Sequence, residues 1–264
     1  MQAGPSQPVA PSHGVAPVWH TLVLIAGIAA VSIAGMVRPA HLHGSSNRLA
    51  AYATTALMEL VMLGWVVLGL RLRKVPLRSL LGMTAAGWRG IMSDVQIAIL
   101  FWFGSMVVLG GLGAVWMRVE ATVTHQQEAM RSGRGNELTP SERKATQEME
   151  QIAPRGGEEI ACWVLLCAIA GFVEEVVFRG YLQTQFTAWA RGAAAAGVVF
   201  SAMMFGAAHG YQGVRNMTLL AAFGVMFSLL ALRRRSLRAC IFAHGWHDLV
   251  AGLALGVLRS HHVV

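Results

Sequence analysis

The stretch Gly171-Phe-Val-Glu-Glu-Val-Val-Phe-Arg-Gly-Tyr-Leu182 places two adjacent carboxylates, Glu174 and Glu175, in a run that is otherwise almost entirely apolar. Arg179 follows Glu175 by four residues, so on a helix these two side chains share a face and can form an ion pair. Ionisable groups at membrane depth are costly and are usually retained for function. A purely structural ion pair at a helix end is the alternative, and the presence of other buried ionisable groups would decide against it.

The composition of the whole chain indicates that this stretch lies in a membrane. Hydrophobic residues make up 55% of the 264 residues, charged residues make up 13%, and the mean hydropathy is +0.52. A soluble domain contains about 25% charged residues, so we expect an all-α, polytopic bundle of transmembrane helices. The net charge of +8 does not indicate nucleic-acid binding, because the basic residues flank the apolar segments as the positive-inside rule expects.

Seven apolar segments predict a bundle of about seven or eight helices. They are residues 18–37, 49–70, 96–117, 160–189, 193–208, 217–232 and 239–258. The fourth segment is longer than one span requires, which predicts either a tilted helix or a break near Gly180. Residues 77–92 are predicted to form a short interfacial helix. Alternating spans would place the basic clusters at 71–78 and 233–238 on the cytoplasmic side.

Composition also divides the chain into five parts. These are a flexible, proline-rich tail at 1–17, N-terminal transmembrane helices at 18–117, a polar loop at 118–157, a C-terminal core at 158–258 and a short tail at 259–264. The segment at 18–37 lacks a basic n-region and a clear cleavage site, so we expect a retained helix rather than a signal peptide.

The cysteines do not predict a disulfide framework or a thiolate metal site. Cys162, Cys167 and Cys240 lie in apolar segments, and the sequence has no CxxC pair. We therefore expect all three to be small residues of the core.

Two further segments carry ionisable groups that can meet the glutamate pair. Phe205-Gly-Ala-Ala-His209 ends the fifth apolar segment, and His244-Gly-Trp-His-Asp248 lies near the start of the seventh. His244 and Asp248 are four residues apart and share a helical face. Each group taken alone is explained by a local helix contact, whereas one polar cavity explains all three together. We therefore predict an active site between the helices of the C-terminal half.

Other ionisable residues in the apolar segments have weaker assignments. Glu59, in the middle of the second segment, either serves the site or hydrogen-bonds a neighbouring helix. His247 is secondary to His244. No role is predicted for the histidines at interfaces, in the loop or in the tail, which are His20, His41, His43, His125, His261 and His262.

The chemistry that such a cavity favours is hydrolysis. A carboxylate with two imidazoles can activate water as a general base, or it can bind a divalent metal. The candidate metal ligands are Glu174, His209 and His244, and a set of this kind suits zinc, although the spacing does not identify a metal. A second imidazole can stabilise the oxyanion of a tetrahedral intermediate. The sequence contains neither a serine nucleophile elbow nor a His-Glu-x-x-His motif, which favours activated water.

The three motifs together resemble the CPBP family of intramembrane proteases, which includes the type II CAAX prenyl endopeptidases and the bacteriocin-processing or immunity proteins. The family pattern is Glu-Glu-x-x-x-Arg, Phe-x-x-x-His and His-x-x-x-Asn/Asp on successive helices. This sequence matches it with Glu174-Glu175-Val-Val-Phe-Arg179, Phe205-Gly-Ala-Ala-His209 and His244-Gly-Trp-His-Asp248. The resemblance covers residues 158–258.

The resemblance implies a role for each matched residue. Glu174 would be the general base, acting on water with His209, and the oxyanion hole would be formed by His244 and Asp248. The residues that shape the site would be Glu175, Arg179 and Phe205. Asp248 stands where the best-studied members carry Asn, and an ionised Asp only accepts hydrogen bonds. We therefore hypothesise that Asp248 orients His244 or binds a metal.

The function implied by the resemblance is that of an intramembrane endopeptidase, acting on a membrane-associated, prenylated or leader-bearing peptide through water activated by Glu and His. Its partners would be the lipid bilayer and a peptide or protein substrate, without nucleic acid. It would be a multi-pass integral membrane protein, in the plasma membrane if the chain is bacterial. The family includes both metalloproteases and metal-free glutamate proteases, and the sequence leaves that choice open.

Two alternatives belong to other functional classes. An ion or proton transporter would use the buried Glu and His groups as its path, although the sequence shows no internal repeat of the kind that many transporters have. A non-catalytic membrane scaffold or immunity protein would retain the motifs without cleaving a substrate.

Overall fold

The computed structural model describes residues 14–37, 47–82, 87–123 and 152–260. Within these ranges the chain forms eight helices and no strands, which confirms the predicted all-α fold. The helices are α1 Val18–Val37, α2 Arg48–Leu72, α3 Leu77–Leu81, α4 Trp88–Val123, α5 Gly157–Trp189, α6 Ala194–Ala208, α7 Gly213–Arg234 and α8 Arg238–Ser260.

Six of the described helices are long and apolar enough to cross a membrane, and they are α1, α2, α4, α5, α7 and α8. The chain is therefore an integral membrane protein with several spans. The segment predicted at 193–208 does form a helix, α6, but this helix has only 15 residues and is shorter than the other spans.

The predicted interfacial helix at 77–92 is wrong. Helix α3 covers only Leu77–Leu81 and ends at Gly82, whose left-handed backbone (φ 59°) stops the helix. Residues from Trp88 onward belong to α4, which therefore begins before the predicted span at 96–117 and also ends after it.

Helix α5 continues through Gly180, so the break that was one of the two predictions for this segment is not present. Its first part, Gly157–Glu174, and its last part, Gln183–Trp189, are α-helical, and Glu175–Leu182 between them is π-helical. Every residue of this π-helical segment is buried, and helices α2, α3 and α6 pack against it. Single π-helical turns inside helices frequently occur at functional sites.

Helices α5 and α8 cross with their backbones in close contact. A methyl group built on Gly171 of α5 would lie 2.7 Å from the backbone nitrogen of Gly245 in α8. Small residues of this kind let membrane helices approach closely. The glutamates that follow Gly171 are thereby held against the histidine that precedes Gly245.

Part of the predicted N-terminal tail is packed into the bundle. Val15 and Ala16 are buried, and the side chain of Gln185 binds the backbone of Ala16 at both its nitrogen (3.2 Å) and its oxygen (2.9 Å). Two hydrogen bonds to one residue fix the approach of the chain to α1. The rest of the predicted tail, residues 1–13, lies outside the described residues.

The turn between α7 and α8 is tied to α3 and to the start of α4. The buried carboxylate of Asp94 accepts hydrogen bonds from Arg234 Nη2 at 2.7 Å and from Arg238 Nε at 2.6 Å. The backbone nitrogen of Leu237 donates to the carbonyl of Leu81 at 3.0 Å. Two arginines of the basic cluster at 233–238 therefore bind a specific carboxylate in addition to marking a membrane side.

His20, a histidine for which no role was predicted, lies in the core of the bundle. It is fully buried, its ring stacks on Trp65 at 4.5 Å, and its Nδ1 is hydrogen-bonded to the Tyr181 hydroxyl at 2.9 Å. The same hydroxyl is hydrogen-bonded to Thr21 at 2.8 Å. This network joins α1 to the π-helical segment of α5.

The three cysteines are unpaired thiols, of which only two lie in the core. Cys167 and Cys240 are buried, but Cys162 is exposed. The prediction for Cys162 was wrong because an apolar segment of a membrane helix also has a face directed at lipid.

The ends of two predicted segments belong to helices. Residues 118–123 of the predicted polar loop continue α4, and residues 259–260 of the predicted C-terminal tail continue α8. Residues 124–151 of the predicted polar loop lie outside the described residues.

Candidate active site

The centre of the site is a buried hydrogen-bond chain that joins α5 to α8. Arg179 donates from Nη1 to Oε1 of Glu175 at 3.0 Å, and both side chains are fully buried. His244 donates from Nδ1 to the same carboxylate oxygen at 2.8 Å. The predicted pairing of Glu175 with Arg179 is therefore present, and Glu175 also fixes the orientation of the His244 ring.

The other ring nitrogen of His244 faces two further carboxylates. Nε2 lies 3.8 Å from Oε2 of Glu174 and 3.7 Å from Oδ2 of Asp248. Since Nδ1 is held by Glu175, Nε2 is the nitrogen of His244 that points into the site. Oε2 of Glu174 is buried and has no hydrogen-bond partner within the described protein. Glu174 and Glu175 thus occupy different environments, as adjacent helix positions about 100° apart should.

Phe205 lies between the two histidines. Its ring centroid is 4.9 Å from that of His209 and 5.8 Å from that of His244. His209 ends α6, and its Nδ1 donates to the carbonyl of Phe205 at 2.9 Å. Among the described residues, no carboxylate lies within ion-pair distance of His209. His209 is thus linked to His244 through the ring of Phe205 that lies between them.

Aromatic rings surround the charged centre. The guanidinium carbon of Arg179 lies 4.2 Å from the ring centroid of Phe205 and 4.9 Å from that of Phe227, which also stacks on His244. Cations over aromatic faces are stabilised by the ring quadrupole, more so when they are desolvated. The ring of Phe205 therefore lies against Arg179 and both histidines.

Two members of the site were not assigned from the sequence. Nothing in the sequence distinguished Phe227 of α7, since an aromatic residue in an apolar helix is ordinary. Glu59 of α2 was distinguished as a single acid within an apolar segment, but the sequence did not identify its partners. In the structure its Oε2 is buried and has no hydrogen-bond partner within the described protein. His247, assigned a secondary role, accepts a long hydrogen bond from Trp102 Nε1 at 3.4 Å.

The candidate metal ligands are not brought together as a three-ligand group. The described residues contain no group of three His, Cys, Asp or Glu side chains placed to bind a metal ion. Structural and catalytic zinc sites use at least three protein ligands.

Residues 156–250 match the family model described as type II CAAX prenyl endopeptidase Rce1-like. This range contains all three motifs and, apart from Glu59, every side chain described above at the charged centre. No curated protein and no solved structure matched the chain.

Proposed function

We propose, from the premise that residues 156–250 are a domain of the Rce1-like type II CAAX prenyl endopeptidase family, that this protein is an intramembrane endopeptidase whose general base is Glu174. The family supports a CAAX-protease-type activity. The observation that carries the finer assignment is the set of buried contacts between Glu174, Glu175, Arg179 and His244. Hydrolysis proceeds by attack of an activated water, because the site offers carboxylates and imidazoles rather than a nucleophilic Ser or Cys.

Glu174 is the base because neither Arg179 nor His244 hydrogen-bonds its carboxylate. Oε2 of each glutamate is buried without a hydrogen-bond partner in the described protein, but Oε1 of Glu175 is bound by Arg179 and His244, whereas Nε2 of His244 lies 3.8 Å from Oε2 of Glu174. A water molecule held at Glu174 Oε2 loses its proton to this carboxylate as it attacks the carbonyl carbon. His209, from the other side of Phe205, orients that water or the scissile carbonyl.

His244 stabilises the oxyanion of the tetrahedral intermediate. Its Nδ1 is fixed by Glu175, so Nε2 is directed at the reacting groups. Donors that are fixed before the reaction stabilise developing charge without reorganisation, and the loss of one such donor typically costs about 100-fold to 1,000-fold in kcat. Asp248, whose Oδ2 lies 3.7 Å from the same nitrogen, orients the imidazole.

The substrate is a peptide that reaches the site within or at the membrane. The catalytic side chains lie on α5, α6 and α8, of which α5 and α8 are apolar enough to cross a bilayer. A prenylated or leader-bearing peptide, whose lipid or apolar segment is already membrane-bound, meets this requirement. In a bacterium the protein would act in the plasma membrane.

The decisive experiment is cleavage of a quenched-fluorescent peptide library by the purified protein in detergent. Wild type, Glu174→Gln and His209→Ala are compared, with Glu159→Gln as the matched control. Glu159, which lies at the start of α5, forms an ion pair with Arg48 of α2 and is outside the charged centre. We expect wild type and the control to cleave and Glu174→Gln to lose activity. Cleavage that survives in Glu174→Gln refutes the base assignment. Wild type that transports ions in proteoliposomes and cleaves no peptide refutes the protease.

A further inference from the structure

Two clusters of basic residues meet at one end of the bundle. The first spans the end of α2 and the short helix α3, and the second spans the turn between α7 and α8. The backbone nitrogen of Leu237 in this turn donates to the carbonyl of Leu81 in α3 at 3.0 Å. A methyl group built on Gly82, which ends α3, would collide with the carbonyl oxygen of Arg235. The two clusters therefore form one surface, the basic platform. Its exposed members are Arg71, Arg73, Lys74, Arg78, Arg233 and Arg235.

The charge of the platform is not neutralised by the protein. Residues 60–94 and 210–247, which contain both clusters, include a single acidic residue, Asp94. Its side chain is fully buried and is bound by Arg234 and Arg238, which are not among the exposed members. None of the exposed members pairs with a carboxylate in the part of the chain that the structure describes. The platform is therefore a cationic surface that an anionic partner complements.

The platform lies at the level where lipid headgroups meet the protein. Helix α2 ends at Leu72, α7 ends at Arg234 and α8 begins at Arg238, and all three are long and apolar enough to cross a membrane. Exposed apolar side chains accompany the basic ones, since Leu72 is 49% exposed and Leu232 is 44% exposed. Cations next to exposed apolar side chains fit a molecule with an anionic head and acyl chains better than they fit a soluble polyanion.

The platform also rests on the segment of α5 that carries the charged centre. A methyl group built on Gly180 would lie 3.2 Å from Leu80 of α3 and 3.3 Å from Leu237 of the turn. Gly180 directly follows Arg179 and belongs to the π-helical segment that also contains Glu175. A ligand that bridges α3 and the turn would hold both of them against this segment.

We propose that the basic platform binds an anionic phospholipid. The phosphate accepts hydrogen bonds from arginines of both clusters, and the acyl chains lie against the exposed leucines beside them. Arginine suits this role because its planar guanidinium binds two phosphate oxygens at once. The bound lipid ties α3 to the turn between α7 and α8, and it thereby stabilises their packing on α5. This binding goes beyond the proposed endopeptidase activity and does not depend on it.

The test measures lipid binding by native mass spectrometry of the full-length protein purified in detergent. The protein is titrated with dioleoyl phosphatidylglycerol and with dioleoyl phosphatidylcholine, which share their acyl chains and differ in net charge. A basic residue near an anionic lipid surface contributes about fivefold in affinity, so we expect wild type to bind phosphatidylglycerol about tenfold or more tightly than phosphatidylcholine. Arg78→Gln/Arg233→Gln, with one change in each cluster, should weaken phosphatidylglycerol binding about tenfold or more and leave phosphatidylcholine binding unchanged.

Two matched variants separate the charge of the platform from other effects. Arg78→Lys/Arg233→Lys keeps the charge and should retain most of the binding. Arg118→Gln/Arg191→Gln removes the same charge from exposed arginines outside both clusters and should bind phosphatidylglycerol as wild type does.

Thermal unfolding gives a second readout. A ligand that binds the folded state stabilises it, so phosphatidylglycerol should raise the unfolding temperature of wild type and of Arg118→Gln/Arg191→Gln. It should not raise that of Arg78→Gln/Arg233→Gln. The same measurement without lipid checks that each variant is folded.

Each other outcome overturns the proposal. Equal affinity of wild type for the two lipids shows that headgroup charge is not recognised. Phosphatidylglycerol binding that is the same in wild type and Arg78→Gln/Arg233→Gln, or that is lost equally in Arg118→Gln/Arg191→Gln, shows that the platform is not the site. If sn-glycerol 3-phosphate binds as tightly as the lipid, the platform is a site for a free anion. If an oligoglutamate peptide displaces the lipid at equal concentration, the platform is a site for an acidic peptide segment.

Discussion

Glu175 holds His244 by a hydrogen bond of 2.8 Å between Oε1 and Nδ1, although the two residues are 69 positions apart in the chain. The same oxygen binds Arg179. One buried carboxylate therefore sets the orientation of the imidazole and neutralises the guanidinium.

Replacing Glu175 should affect both stability and activity. Glu175→Ala leaves the fully buried Arg179 unpaired, and breaking a buried ion pair in this way costs about 3–5 kcal/mol. Glu175→Gln keeps a hydrogen-bond acceptor for His244 but loses the charge. We expect thermal unfolding to show a large loss for Ala and a smaller one for Gln, with kcat reduced in both. An Ala variant as stable as wild type would contradict this assignment.

The crossing of α5 and α8 at Gly171 should tolerate no added methyl group. Gly171→Ala places a carbon 2.7 Å from the backbone nitrogen of Gly245, so the two helices must separate. We expect lower thermal stability and a loss of peptide cleavage, because Glu174 and Glu175 move away from His244. Gly104→Ala in α4 is the control, since a methyl there meets no atom within 4 Å. Equal behaviour of the two variants would show that the close crossing is dispensable.

Asp94 should stabilise the start of the helix that carries His244. Asp94→Ala removes the acceptor for both Arg234 and Arg238 and should lower the free energy of unfolding by about 2 kcal/mol. Because Arg238 begins α8, we also expect kcat to fall. Asp94→Asn keeps one acceptor oxygen and should be intermediate in both measurements. A fully active Asp94→Ala protein would show that this contact does not position the site.

Removal of divalent metal should leave peptide cleavage intact. The described residues offer no group of three ligands, and in the proposed mechanism Glu174 alone activates the water. Cleavage measured after dialysis against a chelator should match that of untreated protein, and elemental analysis should find less than one metal ion per chain. Loss of activity that returns with added zinc would contradict the proposed mechanism.

Asp248→Asn tests the departure from the family pattern. The carboxylate lies 3.7 Å from Nε2 of His244, and in the proposed mechanism its charge adds to the hold of Glu175 on the ring, whereas Asn offers a neutral amide. We expect kcat to fall about tenfold with KM unchanged. Activity equal to or above that of wild type would show that Asp248 does not orient His244 in this protein.

The sequence predicted the parts of the site that depend on local spacing. Glu175 with Arg179 and His244 with Asp248 are pairs four residues apart, and helical geometry alone brings each pair together. The sequence also predicted that the motifs meet, because buried ionisable groups are stabilised when they lie near one another.

Contacts that depend on the packing of helices distant in the chain could not be predicted from local spacing in the sequence. Asp94 is a single acid near a helix start, and only the fold brings it to the turn between α7 and α8. His20 meets Tyr181 across 161 residues. The π-helical segment has no residue pattern of its own, since it differs from an α-helix in backbone hydrogen bonding rather than in composition.

The short length of α6 bears on how water reaches the site. Its 15 residues rise about 22 Å, whereas the hydrocarbon core of a bilayer is about 30 Å thick. A helix of this length that starts at one face of the core therefore ends roughly 8 Å short of the other face. Since His209 caps the end of α6 and the proposed mechanism requires water at Glu174, we expect the rate of hydrolysis to depend on the thickness of the surrounding bilayer.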